Sequence, residues 1–78
     1  MPTREENVQK IKTMQKNLKQ LREEKNRSIE ELSEISGISP RILKNIEEKE
    51  SYNFTVEILY TLCRIYGVQM SKIFLPLG

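Results

Sequence analysis

Histidine, aspartate, tryptophan and alanine are absent from this sequence of 78 residues, and cysteine occurs once, at Cys63. Without histidine the chain has no Ser-His or Cys-His pair for nucleophilic catalysis, and one cysteine forms neither an internal disulfide nor a zinc site. No apolar run approaches the roughly 20 residues that span a bilayer, and Met1–Lys19 is too polar for a signal peptide. We therefore expect no enzyme, no cofactor or metal, no small-molecule substrate and no membrane association, in a cytoplasmic protein.

The length and the charge distribution indicate one small domain with a modest basic bias. Hydrophobic residues make up 37% and charged residues 31%, which is a globular composition. A chain this short buries only about 60% of its unfolded surface, so we expect dimerisation to add stability. The net charge is +2, and the basic excess lies in residues 1–27, with eight Lys/Arg against four Glu, whereas residues 28–54 have three against six.

Hydrophobic residues recur every three or four positions, which predicts helices and no strands. The first helix is expected from about residue 4 to 25, on a stripe that comprises Val8, Ile11, Met14, Leu18 and Leu21. Further helices are expected at about 29–36, 40–48 and 56–66, with a last short turn at 71–74. The inward positions of the second helix include Ile29, Leu32 and Ile35, and those of the fourth are Val56, Leu59, Leu62, Cys63 and Tyr66.

Cap residues define the second and third helices most sharply. Ser28 followed by Glu31 is a capping box, and Gly37 provides the left-handed residue that ends a helix. Ser39 is a good N-cap, and Pro40 suits the first helical position because its missing N–H is not needed there. Two short helices joined through a glycine cross steeply, so that the second one protrudes.

The protruding helix has a polar outward face. Its inward positions are Leu43 and Ile46; its outward face comprises Pro40, Arg41, Lys44, Asn45 and Glu48. Eight helical residues span about 12 Å, which matches the roughly 12 Å width of the major groove of B-DNA.

Residues 18–75 resemble the Cro and lambda-repressor type of helix-turn-helix domain, the XRE family. The matching stretches are LKQLREEKNRSIEELSEISGIS, ILKNIE and FTVEILYTLCRIYGVQMSKIF. The resemblance implies an all-α fold: a compact five-helix lambda-repressor-like domain with a central helix-turn-helix at 29–48 and an extended first helix. Residues 1–17 would be an extension that includes the start of the first helix, and residues 76–78 a tail.

The resemblance also implies roles for individual residues in binding double-stranded DNA. The third helix would enter the major groove, and an ion pair between Arg22 and Glu47 would hold the fold together. We expect Arg41 to read guanine and Asn45 to read adenine, while Ile42 either contacts a thymine methyl group or closes the edge of the core. The candidates for contacts to the DNA backbone are Ser28, Ser39, Lys44, Lys49, Ser51 and Asn53. Family members often pair through the C-terminal helices, so a homodimer is expected there.

Some residues depart from the family pattern at positions that would touch DNA. Ile29 stands where the family often has a phosphate-binding Gln, and Pro40 offers no donor at the first base-reading position. Glu48-Lys49 replaces the family's Asn-Gly, and Glu50 adds another acid. Two hypotheses follow: a sequence-specific transcriptional regulator, such as a phage or mobile-element repressor or a small bacterial regulator, or an antitoxin- or antirepressor-like protein-interaction module with weak or no DNA binding.

Overall fold

The computed structural model describes residues 4–49 and 54–76 of the chain. It contains four α-helices, which are α1 (Arg4–Glu24), α2 (Ile29–Ser36), α3 (Pro40–Glu48) and α4 (Val56–Tyr66). A 3₁₀ turn at Met70–Lys72 follows α4, and the described residues include no strand. The all-α prediction is confirmed.

The predicted count of five helices is not matched, because the described residues form four α-helices and the fifth element is a single 3₁₀ turn. Gly67 ends α4 in the left-handed conformation, with φ at 69°. The next residues make one turn, and then the carbonyl of Ile73 accepts a hydrogen bond from the Asn17 side chain at 2.7 Å. Pro76 then follows and has no N–H to donate, so a regular helix would lack a hydrogen bond there.

The core lies where α1, α2, α3 and α4 meet. Its buried members are Met14, Leu18, Leu21, Leu32, Leu43, Ile46, Leu59, Leu62, Cys63, Tyr66 and Ile73. Cys63 is 2% exposed, and burial raises the pKa of its thiol, as expected for a small core residue.

Two buried amides of α1 join this helix to distant parts of the chain. Gln15 Nε2 donates to the carbonyls of Ile46 and Lys49 at 2.9 and 2.8 Å, at the C-terminal end of α3. Asn17 Nδ2 donates to the carbonyls of Ile73 and Leu75 at 2.7 and 2.8 Å. The middle of α1 therefore holds both the end of α3 and the segment after the 3₁₀ turn.

Several apolar residues are exposed, although the helical periodicity predicts that they point towards the core. Ile35 at the end of α2 is 54% exposed, and Val56 at the start of α4 is 72% exposed. In the first turns of α1, Val8 and Ile11 are 38% and 39% exposed. Ile58, Ile65 and Phe74 pack against the core, whereas Leu75 is 56% exposed. No helix in the described part of the chain is both long and apolar enough to cross a membrane.

Candidate nucleic-acid interface

The start of α2 is fixed by the capping box that the sequence predicts. Ser28 Oγ accepts from the N–H of Glu31 at 3.1 Å, and the Glu31 carboxylate accepts from the N–H of Ser28 at 3.2 Å. Both partners satisfy backbone donors that would otherwise lack intrahelical acceptors. The side chain of Ser28 is therefore engaged in capping at the same position where a contact to the DNA backbone was expected.

A tight turn sets the angle between α2 and α3. Gly37 has φ at 75°, a conformation that favours glycine, and its N–H donates to the carbonyl of Ser33 at 2.9 Å. The Ser33 hydroxyl donates to the carbonyl of Ile38 at 2.6 Å, and Ser36 Oγ accepts from the N–H of Ile38 at 3.1 Å. Two serines thus bind the residue that follows the turn, which fixes the direction in which α3 leaves.

The helix α3 separates a buried face from an exposed one. Leu43 and Ile46 are each 1% exposed, whereas Arg41 and Lys44 are exposed and Asn45 is half-buried. Ser39 caps the helix by accepting from the N–H of Ile42 at 3.3 Å.

The polar side chains of α3 lie on one side. Arg41 and Asn45, four residues apart, share a face, with Lys44 beside them. Ile42 is half-buried and packs against the core, which is one of the two environments that the sequence leaves open for it.

An ion pair between α1 and α3 fixes the position of α3 and therefore of its exposed face. Arg22 Nε donates to Glu47 Oε2 at 2.9 Å, and Nη2 donates to Oε1 at 3.0 Å, so the pair is bidentate. The side chains are 15% and 4% exposed, respectively. The hydrogen bond to Glu47 raises the pKa of Arg22 above its usual value. Nη1 of Arg22 donates to the carbonyl of Arg27 at 2.9 Å, so one guanidinium joins α1, the loop before α2 and the end of α3.

The hydroxyl of Tyr66 lies close to this ion pair and was not singled out by the sequence. Tyr66 is 7% exposed, and its hydroxyl and Nη1 of Arg27 have no hydrogen-bond partner among the described residues. Burial, followed by the nearby carboxylate of Glu47, raises the pKa of Tyr66 to about 12. The phenol is therefore held in its neutral form.

We expect Tyr66→Phe to be at least as stable as the wild type at neutral pH, and up to about 1 kcal/mol more stable. A buried hydroxyl without a partner loses its hydrogen bonds to water and forms none in the folded protein, so its burial lowers the stability. In the wild type, the unfolded phenol ionises near pH 10 and the folded one only near pH 12. Because the folded state keeps this proton to a higher pH, the free energy of unfolding is unaffected by the shift below about pH 10. It falls as the pH rises from about 10 through about 12, by about 3 kcal/mol in total.

The measurement is urea unfolding at neutral pH and across the alkaline range. In Tyr66→Phe, the fall in stability that ionisation of Tyr66 causes above pH 10 should be absent. Tyr60 is 52% exposed, so Tyr60→Phe should show the same fall as the wild type. A clear loss of stability in Tyr66→Phe at neutral pH would contradict the expectation.

A groove of about 420 Å³ lies between the start of α2 and the exposed face of α3. Its lining residues are Arg22, Ser28, Ile29, Glu30, Pro40, Arg41, Lys44, Glu47 and Glu48. Arg22 and Glu47 are paired with each other, so the other charged residues of the lining are Arg41, Lys44, Glu30 and Glu48. Ile29 and Pro40 add apolar area to the same groove. The groove therefore combines donors suited to bases and phosphates with acids that would repel phosphate.

The other residues expected to contact the DNA backbone are Ser39, Lys49, Ser51 and Asn53. Lys49 is exposed at the end of α3, and its carbonyl accepts from Gln15. Ser39 is exposed and engaged as a cap. Ser51 and Asn53 lie outside the described residues. Within residues 4–49 and 54–76, no group of three or more His, Cys, Asp or Glu side chains is arranged to hold a metal ion.

Comparison with known proteins gives one match. A family model described as a helix-turn-helix domain matches residues 15–75 of the chain. The match spans α2, α3, α4 and the second half of α1, whereas the exposed first turns of α1 precede it. Neither a search of curated proteins nor a search of solved structures found a match.

Proposed function

The chain belongs to the helix-turn-helix domain family, and from this premise we propose that it is a sequence-specific DNA-binding regulator of transcription. The observation that carries the proposal is the exposed face of α3, which presents Arg41, Lys44 and Asn45 on a helix whose other face is anchored in the core. In this class of protein the second helix of the unit enters the major groove and contacts base edges. The regulator would act in the cytoplasm, as a phage or mobile-element repressor or as a small bacterial regulator.

The side chains on the exposed face of α3 have different proposed roles. Arg41 reads guanine through a bidentate contact to O6 and N7, and Asn45 reads adenine. Lys44 contacts a phosphate, as do Lys49, Ser51 and Asn53. Ile42 packs on the core and, at its exposed edge, contacts a thymine methyl group.

The protein would bind as a homodimer to a two-fold operator, with half-sites about 10 base pairs apart. In this proposal residues 18–75 form the DNA-binding domain, with 29–48 as the helix-turn-helix. Residues 1–17 add an N-terminal extension that includes the start of α1, and residues 76–78 form a tail.

The groove between α2 and α3 favours one alternative. Glu30 and Glu48 line it together with Ile29 and Pro40, and that combination suits a protein surface better than a phosphate backbone. The alternative function is a protein-interaction module of the same fold, antitoxin- or antirepressor-like, that binds DNA weakly or not at all.

A salt series on random-sequence duplex DNA tests the proposal against the alternative. A regulator that neutralises several phosphates should bind in the micromolar range at low salt, and its affinity should fall steeply as salt is added. The measurement is fluorescence anisotropy of a labelled duplex, followed by selection of an operator from a random pool. Absence of binding at low salt would overturn the DNA-binding function and favour the alternative.

A further inference from the structure

Three exposed lysines of α1 lie on one side of the helix. Successive residues of a helix are turned by about 100°, so Lys12, Lys16 and Lys19 point within an arc of about 60°. All three side chains are exposed. Glu5 and Glu23 lie beyond the two ends of this row, on the same side of the helix. We call the surface formed by the three lysines the α1 basic face.

The contacts between α1 and the end of α3 determine where the α1 basic face points. Gln15 donates to two carbonyls at the C-terminal end of α3, and Arg22 forms the bidentate pair with Glu47. Gln15 and Arg22 are seven residues apart, so they point within about 20° of each other, towards α3. Leu18, in the core, is turned about 60° from Gln15 in one direction, and Lys19 about 40° in the other. Going around α1, the core comes first, then α3, and then the α1 basic face.

The side chains of α3 follow the same order around its axis. Leu43 and Ile46, which are buried, are turned from Glu47 in one direction. Lys44 and Arg41, which are exposed, are turned from it in the other. The ion pair therefore marks the line along which the two helices touch, with the core on one side of this line. On the other side, the α1 basic face and the exposed face of α3 are neighbouring parts of one surface.

The distance between packed helices matches the distance from the middle of a DNA groove to its edge. The axes of packed helices lie about 8–10 Å apart. The major groove of B-DNA is about 12 Å wide, so a helix in its middle is about 6 Å from the edge, where the phosphates begin. With α3 in the groove, α1 lies over the phosphates that border it. The flexible four-carbon stem of lysine carries a compact positive charge, which suits a contact to phosphate.

We propose that Lys16 and Lys19 of the α1 basic face bind phosphates of the DNA strand that borders the major groove on the side of α1. The protein would thus contact the backbone with a helix outside the helix-turn-helix at 29–48. Phosphate contacts supply affinity that does not depend on sequence and fix the orientation of the protein, so base reading stays with α3. The proposal rests on the proposed function for the placement of α3 in the groove.

The test is a salt series with the full chain, measured by fluorescence anisotropy on the selected operator and on a random duplex. Each phosphate contact adds about 0.9 to the slope of log affinity against log salt concentration. Lys16→Gln and Lys19→Gln should therefore each lower the slope by about 0.9, and the double variant by about 1.8. Between about 50 and 200 mM salt, the affinity of the double variant should fall about 12-fold less than that of the wild type. Both duplexes should be affected equally, because phosphates carry no sequence information.

Two controls separate a phosphate contact from a general effect of charge. Lys10→Gln removes the same charge from another exposed position of α1, turned at least about 120° from each residue of the α1 basic face. It should leave the slope unchanged. The double variant Lys16→Arg, Lys19→Arg keeps both charges and should retain the wild-type slope. Urea unfolding should give the same stability for all of these variants to within about 0.5 kcal/mol, since the substituted side chains are exposed.

The outcomes distinguish this proposal from the DNA-binding function. A wild-type slope in the double Gln variant, or an equal effect of Lys10→Gln, would overturn the phosphate contacts and leave a regulator that still discriminates its operator. Binding to random DNA that depends on the two lysines, with no operator obtained by selection, would support the contacts and remove the sequence-specific function. A wild type that binds no DNA would overturn both.

Discussion

Arg22→Met is expected to lower the free energy of unfolding by about 3 kcal/mol or more, since it leaves a buried carboxylate without its partner. Glu47 is 4% exposed, and its described hydrogen bonds come from Arg22. The substitution also removes the donor to the carbonyl of Arg27. A domain of this size has a total stability of only about 4 to 12 kcal/mol, so the variant should be close to unfolding at room temperature. Urea denaturation followed by circular dichroism measures the loss.

Two further variants separate the buried charge from the rest of the side chain. Arg22→Lys keeps a positive charge but loses the planar fork, so its loss should be smaller. The double variant Arg22→Met, Glu47→Met should recover most of the loss, because no unpaired charge is then buried. A loss below about 1 kcal/mol in Arg22→Met would mean that the pair behaves as a surface salt bridge does.

Arg41→Ala should weaken binding to the selected operator by about 1–3 kcal/mol, or roughly 5- to 150-fold in dissociation constant, and leave the fold intact. Arg41 is exposed near the start of α3, so its truncation should change the unfolding free energy by no more than about 0.5 kcal/mol. The measurement compares affinity for the operator with affinity for a random duplex at one salt concentration. Discrimination between the two should fall along with operator affinity.

Matched substitutions on α3 separate base reading from charge. Arg41→Lys keeps the charge but cannot make the bidentate contact to guanine, so it should lose discrimination and keep most of its binding to random DNA. Lys44→Ala should instead weaken binding to all sequences and reduce the salt slope by about one. Equal operator affinity of Arg41→Ala and the wild type would remove Arg41 from the base-reading set.

The helices of the central unit could be predicted because local chemistry sets their ends. Ser28 with Glu31, Gly37, and Ser39 with Pro40 act within a few residues, and the structure shows each of these caps and turns. Ile35 and Val56 were placed wrongly for a different reason. Periodicity gives the direction of a side chain but does not show whether another element lies there. Val56 is the first residue of α4, and its side chain leans towards the N-terminus of the helix, where no further turn covers it.

The contacts that hold α3 and the candidate site in place could be predicted only in part from the sequence. Arg22 and Glu47 were paired through the family resemblance, since nothing local joins residues 25 positions apart. The buried amides Gln15 and Asn17 give a weak signal, as polar residues that flank Met14 and Leu18 on the buried side of α1. Their acceptors, however, are backbone carbonyls that only the folded chain brings within reach.

Those two amides have a consequence for the order in which the domain assembles. Gln15 and Asn17 bond to carbonyls that follow them by 31 to 58 residues. Closing such long segments carries an entropic cost that the neighbouring helices α2 and α3 avoid when they pair. During synthesis, the side chain of Asn17 can form both of these hydrogen bonds only after residue 75 has left the ribosome. The first helix is therefore synthesised early, but its packing against the end of the domain is completed late, by residues that are among the last of the domain to be synthesised.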